Sequence, residues 1–288
     1  MAASYDQVVL FGDSLFQGAT DLAEGFSFQA ALQKHCIRRL DVVNRGFSGW
    51  NTEDAVKYLP EIFPAKSEGS PGPRLRYLLV LLGANDASHP WSHPTQFCAK
   101  DEYKANLKKI ITHPNVVAHN PKILLVTPPP LDETKIYQFD IEENGLDKLT
   151  RTAANSAEYS QLARDVAAEV PGTILIDLQD ALTKHAITLT PEYDASNPQH
   201  HNGKIPLLGY MEGNGGKGFR GGLGQLLPDG LHLSGEAYRV LYGLVAPHIG
   251  PFPAALDEKD QKSEFANPFP DWKILADERE ARIKAEGL

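Results

Sequence analysis

The chain has 288 residues, 42% of them hydrophobic, and a formal net charge of -9 at pH 7. Its length and apolar content allow one substantial core, and the acidic balance argues against a nucleic-acid partner. No stretch approaches the roughly 18 consecutive apolar residues of a membrane span, and residues 1–6 lack a signal-peptide core. With only Cys36 and Cys98 as thiols, the chain is predicted to be cytoplasmic.

Hydrophobic runs typical of buried strands alternate with segments of helical periodicity. The predicted strands are residues 8–11, 41–44, 76–82, 122–127 and 173–178. The predicted helices are residues 28–40, 52–58, 102–112, 150–170 and 235–247, the last with Ser234 as its N-cap. This alternation predicts an α/β fold in which helices cover both faces of a five-stranded parallel sheet.

Two distant segments supply a serine, an acid and a base. Ser14 follows the first strand in a Gly-Asp-Ser-Leu turn, and Asp229 and His232 belong to an Asp-Gly-Leu-His string before the last helix. A hydroxyl is a poor nucleophile until a base takes its proton, and an imidazole is an effective base when a third group holds its ring. The spacing of Asp229 and His232 lets the carboxylate reach Nδ1 while Nε2 faces outward.

Two further motifs follow strands. They are Asn-Arg-Gly-Phe-Ser-Gly at 44–49 and Gly-Ala-Asn-Asp at 83–86. Ligand sites of parallel sheets lie at the carboxyl ends of the strands, where an acyl-transfer site needs oxyanion donors. Ser48 lacks the glycine two positions later that a G-x-S-x-G elbow requires, so it is predicted to be a loop or cap residue. Asp13 and Asp86 are predicted to bind loop amides.

These four blocks, in this order, resemble those of the SGNH hydrolases, also called GDSL esterases and lipases. The longer strings at 44–49, 82–87, 127–131 and 229–234 most resemble the isoamyl acetate-hydrolysing esterase subgroup. The resemblance covers about residues 6–182 and 228–250. It implies a three-layer α/β/α sandwich of the flavodoxin-like SGNH type.

The resemblance also implies a role for each motif residue. Ser14 is the expected nucleophile, His232 the general base and then acid, and Asp229 its orienting partner. The expected oxyanion hole consists of the backbone N–H groups of Ser14 and Gly46 and the side-chain amide of Asn85. No metal and no cofactor are expected.

The implied activity is that of a serine esterase that hydrolyses short-chain, acetate-type esters of small alcohols through an acyl-enzyme. A carbohydrate deacetylase, a lysophospholipase or an alcohol acyltransferase would use the same site. A catalytically silent binding protein is an alternative from a different class, although a binder has no need for the full set of residues.

Residues 1–250 are predicted to form a single domain, with a glycine-rich insertion at 183–228 directly before Asp229. The insertion is expected either to cover or reshape the substrate pocket or to be a surface loop without influence on selectivity. Its histidines at 200–201, and His89 with His93, have no carboxylate or cysteine cluster that would indicate a metal site. The extension 251–288 should contain a short helix that docks on the body or crosses to a partner in a homodimer.

Overall fold

A five-stranded, wholly parallel sheet forms the centre of the protein, with strand order β2-β1-β3-β4-β5. The computed structural model describes residues 5–65, 72–203, 205–211, 219–252, 264–265 and 269–287. The strands are β1 (Asp6–Gly12), β2 (Leu40–Gly46), β3 (Leu75–Leu81), β4 (Lys122–Val126) and β5 (Thr173–Ile176). The predicted α/β fold is confirmed.

Helices lie on both faces of this sheet. The α-helices of the described ranges are α1 (Ser14–Gln17), α2 (Phe28–His35), α3 (Thr52–Ile62), α4 (Lys100–Ile111), α5 (Pro114–Val117), α6 (Glu133–Tyr137), α7 (Ala153–Glu169), α8 (Leu178–Thr188), α9 (Leu223–Leu226), α10 (Gly235–Val245) and α11 (Trp272–Glu286). Alternate residues of β1 enter two separate cores: Val8 and Leu10 pack with α1, α2, α8, α9 and α10, whereas Val9 and Phe11 pack with α3, α4, α5 and α7. Burial on both faces explains why the strands read as continuous apolar runs.

Most predicted boundaries shift by one to three residues, and three of the differences have a local cause. The helix predicted for 28–40 ends at His35, because Arg38 takes a left-handed conformation (φ 62°) before the chain enters β2. The helix predicted for 52–58 continues through Pro60 to Ile62, where burial of Leu59 outweighs the lost backbone hydrogen bond. The strand predicted to reach residue 178 stops at Ile176 and is followed by α8, so residues 183–188 of the predicted insertion are helical.

Two glycines at the carboxyl edge of the sheet bring β1, β2 and β3 close together. A Cβ on Gly12 would lie 2.2 Å from the carbonyl oxygen of Leu81, and a Cβ on Gly46 would lie 2.1 Å from the backbone nitrogen of Gln17. Both contacts are with backbone atoms, which cannot move aside as a side chain can. The turn after β1 therefore lies against the ends of the two neighbouring strands, at the point where the strand order reverses.

Part of the inserted segment lies beside α7 and α8. Its short strands β6 (His201–Asn202) and β7 (Ile205–Pro206) pair antiparallel and, with α7 and α8, border a cavity of about 510 Å³. Gln161, Thr183 and Tyr210 are among the residues that line it, and no predicted catalytic residue does. Residues 204 and 212–218 of the predicted insertion lie outside the described part of the chain.

The C-terminal helix α11 buries none of its described side chains, and Trp272 at its start is 67% exposed. The segment before it is attached instead. Arg38 donates hydrogen bonds to the carbonyl oxygens of Phe269 and Pro270 and forms an ion pair with Asp271. A homodimer through this helix stays a prediction. Across the described ranges, no helix has the length and apolar character needed to span a bilayer.

Candidate active site

Ser14, His232 and Asp229 form a continuous chain of hydrogen bonds at the carboxyl edge of the sheet. The Ser14 hydroxyl lies 2.9 Å from Nε2 of His232, and Nδ1 of the same ring lies 2.6 Å from Oδ2 of Asp229. A carboxylate can only accept, so Nδ1 carries the proton and Nε2 is left to accept from the serine. The structure thus brings Ser14 to the Asp229–His232 pair, which lies more than two hundred positions away in the sequence.

Local backbone structure positions each of these groups. Ser14 is the first residue of α1, and the Asp13 carboxylate caps that helix by accepting a hydrogen bond from the Leu15 N–H at 2.9 Å. Asp229 accepts hydrogen bonds from the backbone N–H groups of Leu231 and His232 at 2.9 and 2.8 Å through its other oxygen, Oδ1. The acid is therefore held by the same loop that carries the base.

The pair formed by His232 and Asp229 has shifted titration properties. The hydrogen bond that His232 donates to Asp229 raises the pKa of His232 above its ordinary value, although partial burial opposes this. Burial alone would raise the pKa of Asp229, but the hydrogen bonds from the His232 ring and from the loop amides outweigh it and hold that pKa well below the usual range. The carboxylate stays ionised and stabilises an imidazolium when one forms.

Asn85 presents a free amide donor at the end of β3. Its Nδ2 donates to the carbonyl oxygen of Trp50 at 2.9 Å, and its Oδ1 accepts from Arg151 at 3.2 Å. The second N–H on Nδ2 has no acceptor within the part of the chain that the structure describes. The backbone N–H of Ser14, at the start of α1, is likewise without an acceptor among the described residues.

The backbone N–H of Gly46 is not available in the same way, which corrects the predicted oxyanion hole. This N–H donates to Oδ1 of Asn44 at 2.8 Å. Three residues later, Gly49 takes a left-handed φ of 82°, its carbonyl accepts from Gln96 at 3.1 Å, and its N–H has no acceptor in the described ranges. Gly49 is therefore the better candidate for the third donor.

The comparisons with known proteins agree with this geometry. The model of the GDSL-like Lipase/Acylhydrolase family matches residues 10–240. The chain belongs to this family. It is 34% identical over 189 residues to the isoamyl acetate-hydrolyzing esterase 1 homolog of Mus musculus, which covers 64% of this chain and 70% of the mouse protein. It is 33% identical over 168 residues to a GDSL esterase/lipase of Arabidopsis thaliana, which covers 57% of this chain and 66% of that protein.

Solved structures show the same fold. The acetyl xylan esterase AlAXEase gives a TM-score of 0.56 at 20% identity, covering 85% of this chain and 100% of that one. Axe2, an acetylxylan esterase from Geobacillus stearothermophilus, gives a TM-score of 0.54 at 18% identity, covering 86% and 95%. The predicted family and the three-layer fold are confirmed, and this GDSL hydrolase is an esterase.

Two buried carboxylates lie next to the candidate catalytic groups of this GDSL hydrolase. Burial raises the pKa of Asp13 to about 7 and that of Asp86 to about 6. Oδ1 of Asp86 accepts hydrogen bonds from the backbone and the hydroxyl of Thr52, at the start of α3. Both side chains bind loop or helix-start groups, as predicted.

Ser48, His89 and His200 of this GDSL hydrolase make packing or hydrogen-bond contacts with residues outside the candidate triad. Ser48 lies in the turn before α3, where its N–H donates to Gln17 at 2.8 Å, and the helix N-cap is Asn51. His89 stacks on Trp91, and His200 stacks on the ring of Phe219. Among the residues that the structure describes, no group of three His, Cys, Asp or Glu side chains could hold a metal ion.

Two arginines near the site of this GDSL hydrolase belong to none of the four sequence motifs, and their contacts with the site loops were not predicted from the sequence. Arg151 contacts Asn85, as described above. Arg220, at the end of the insertion, forms an ion pair with the fully buried Asp132 and donates to the carbonyl oxygens of Leu227 and Pro228 at 2.9 and 3.1 Å. Those two carbonyls directly precede Asp229, so Arg220 attaches the insertion to the acid–base loop.

Proposed function

We propose that this esterase is a serine hydrolase that cleaves short-chain, acetate-type esters of small alcohols through an acyl-enzyme. The observation that carries the proposal is the unbroken hydrogen-bond chain from Asp229 through His232 to Ser14. Asn85, with its free amide N–H, lies at the end of a neighbouring strand. These groups supply a nucleophile, a base, an orienting acid and an oxyanion donor.

In the first half-reaction, the Ser14 oxygen attacks the ester carbonyl carbon while Nε2 of His232 takes the hydroxyl proton. Asp229 stabilises the imidazolium that forms. The tetrahedral intermediate then collapses: the bond to the alcohol oxygen breaks, His232 returns its proton to that oxygen, and an alcohol leaves. The acyl group remains on Ser14.

In the second half-reaction, His232 takes a proton from water, and the hydroxide oxygen attacks the acyl-enzyme carbonyl. Collapse of the second intermediate releases a carboxylic acid and returns the proton to Ser14. In both intermediates we assign the oxyanion to the backbone N–H of Ser14, the amide of Asn85 and the backbone N–H of Gly49. Each such donor typically contributes about 10²–10³ in kcat.

Two observations support a short acyl group. The Mus musculus relative at 34% identity is named for hydrolysis of isoamyl acetate. In addition, Asn85 and Gly49 are in contact with the polar side chains of Arg151 and Gln96, which bind one another at 2.6 Å. A long alkyl chain packed against this cluster would shield the charged guanidinium of Arg151 from water, whereas an acetyl group presents a single methyl.

The same proposal extends to the organisation of the chain. We propose one catalytic domain over residues 1–250, with the insertion bordering the site through Arg220 and Asp132. Cys36 and Cys98 are both buried and unpaired, which supports a reducing compartment and a cytoplasmic location.

The test compares wild type, Ser14→Ala and Ser48→Ala on the p-nitrophenyl esters of acetate, butyrate and octanoate, with and without EDTA. Ser48 is an exposed serine of the neighbouring turn and serves as the matched control. We expect acetate to be turned over fastest, Ser14→Ala to lose about 10⁴ or more in kcat, and Ser48→Ala to stay within about threefold of wild type. EDTA should have no effect.

Retention of activity by Ser14→Ala would overturn the nucleophile assignment. Faster turnover of octanoate than of acetate would overturn the short acyl preference alone. A loss of activity in EDTA would refute the metal-independent mechanism.

A further inference from the structure

Arg151 lies two residues before α7 and contacts the loop that carries Asn85. Its Nε donates to the carbonyl oxygen of Ala84 at 3.3 Å, and its Nη2 donates to Oδ1 of Asn85 at 3.2 Å and to Oε1 of Gln96 at 2.6 Å. One guanidinium thus binds three acceptors around the predicted oxyanion site. Burial lowers the pKa of Arg151, and nearby Asp140 and Asp13 oppose this shift. A guanidinium titrates so far above neutral pH that the side chain stays a cation.

The contact with the Asn85 side chain matters because an amide has two ends of nearly equal shape. Hydrogen bonds decide which end of Asn85 faces which neighbour. Arg151 can only donate, so it selects Oδ1, and the Trp50 carbonyl can only accept, so it selects Nδ2. Together these two neighbours leave one N–H of Nδ2 for the substrate.

A second path leads from Arg151 to the other candidate donor. Gln96 accepts from Arg151 through Oε1, and its Nε2 donates to the carbonyl oxygen of Gly49 at 3.1 Å. The backbone of Gln96 in turn accepts a hydrogen bond from the side chain of Asn51, the N-cap of α3. The loops after β2 and β3 are therefore joined through one guanidinium and one amide.

We propose that Arg151 is a positioning residue of the oxyanion site. It fixes the amide of Asn85 directly and the peptide of Gly49 through Gln96. Its charge also draws electron density toward Oδ1, which makes the free N–H of Asn85 a stronger donor. Preorganised donors need no rearrangement when charge develops in the transition state, so the effect belongs in kcat rather than in substrate binding. This inference rests on the proposed function, since it assigns a positioning residue to the same active site.

The experiment is a double-mutant cycle of Arg151→Met and Asn85→Ala, with Arg151→Lys as the conservative variant. Arg164→Met is the matched control, because Arg164 is an arginine of α7 that pairs with Asp177 at 2.8 Å. kcat and KM for p-nitrophenyl acetate are measured for each protein, and thermal unfolding shows that each is folded.

We expect Arg151→Met to lower kcat by roughly 10- to 100-fold, less than the full contribution of one oxyanion donor, with KM changed less than about threefold. Arg151→Lys keeps the charge and should recover part of the loss. When Asn85 is already alanine, Arg151→Met should cost less than about threefold, because most of its effect passes through that amide. Arg164→Met should leave kcat within about threefold of wild type.

Losses in kcat that simply multiply in the double variant would overturn the role of Arg151 while leaving the serine mechanism in place. A rise in KM with unchanged kcat would overturn it as well, because it would make Arg151 a binding residue. If activity does not depend on Ser14, the proposed function fails and this inference fails with it. Should Arg151→Met be unfolded, Arg151→Lys alone decides: full wild-type kcat would refute the need for a three-acceptor contact.

Discussion

Replacing Asp229 with asparagine should trap His232 in the wrong tautomer. Oδ1 of Asp229 accepts from two backbone N–H groups, while Oδ2 accepts from the Nδ1 of His232 at 2.6 Å. In Asp229→Asn the two backbone donors select the remaining oxygen, so the new NH₂ group must face the ring. A donor at Nδ1 stabilises the tautomer that carries its hydrogen on Nε2, the atom that has to accept the proton of Ser14.

The expected loss follows from this tautomer. Exchange of the orienting acid for an amide in a serine triad lowers kcat by about 10⁴ through the same effect, which corresponds to about 5 kcal/mol of activation free energy. Asp229→Ala should lose less, although alanine is the larger chemical change, because water at Nδ1 permits either tautomer. The side chain of Asp229 is 56% exposed, so neither substitution should disturb folding.

The assay is the initial rate of p-nitrophenyl acetate hydrolysis at about pH 8, with thermal unfolding as the control for structure. The order of activity should be wild type, then Asp229→Ala, then Asp229→Asn. An asparagine variant within tenfold of wild type, or more active than the alanine variant when both are folded, would refute the tautomer reasoning.

Two further predictions concern pH. His232 must be neutral to act as a base, and its pKa is raised, chiefly by the hydrogen bond to Asp229. The value of kcat/KM should therefore rise with pH through a midpoint above ~6.5. A flat profile from about pH 5 to about pH 9 would contradict this. Burial raises the pKa of Asp13 from 3.8 to about 7. As the pH rises, the unfolded chain therefore loses this proton before the folded protein does. The free energy of unfolding should fall as the pH rises between these two values. This pH-dependent part of the free energy of unfolding is at most about 4 kcal/mol, and Asp13→Asn should remove it. The check is urea unfolding of both proteins at about pH 5 and about pH 8. If the variant keeps the pH dependence of the wild type, the reasoning is wrong.

The sheet and the order of the motifs were predictable because both are encoded locally. Strands buried on two faces are apolar runs, and the runs of β1, β2 and β3 are each followed by a motif that turns the chain at the same edge. Helix α8 was missed because its start overlaps the end of β5: Ile176 is a strand residue, and Asp177 caps the helix by accepting from the Asp180 N–H. Nothing in the apolar pattern distinguishes these two elements at their junction.

The candidate site was predicted less completely than the fold. The N–H of Gly46 is taken by Asn44, and an asparagine that binds the backbone two residues later is a common turn, so this sequence signal was present. Arg151 gave no such signal, because it lies between a loop and a helix and belongs to no motif. Its contacts with Asn85 and Gln96 join segments that are more than fifty residues apart, so only the folded chain brings them together.

The two crowded glycines at the sheet edge also restrict how this enzyme can change. Any side chain at Gly12 or Gly46 meets backbone atoms at about half of a normal contact distance, so neither position can accept a substitution during laboratory evolution. Gly49 has only the flexible end of Gln96 near its missing Cβ, at 3.2 Å, but its left-handed φ of 82° would strain any other residue. Libraries that aim at new ester preferences should therefore keep all three glycines and diversify exposed neighbours such as Ser48, where sequence variation does not break the frame that holds the nucleophile.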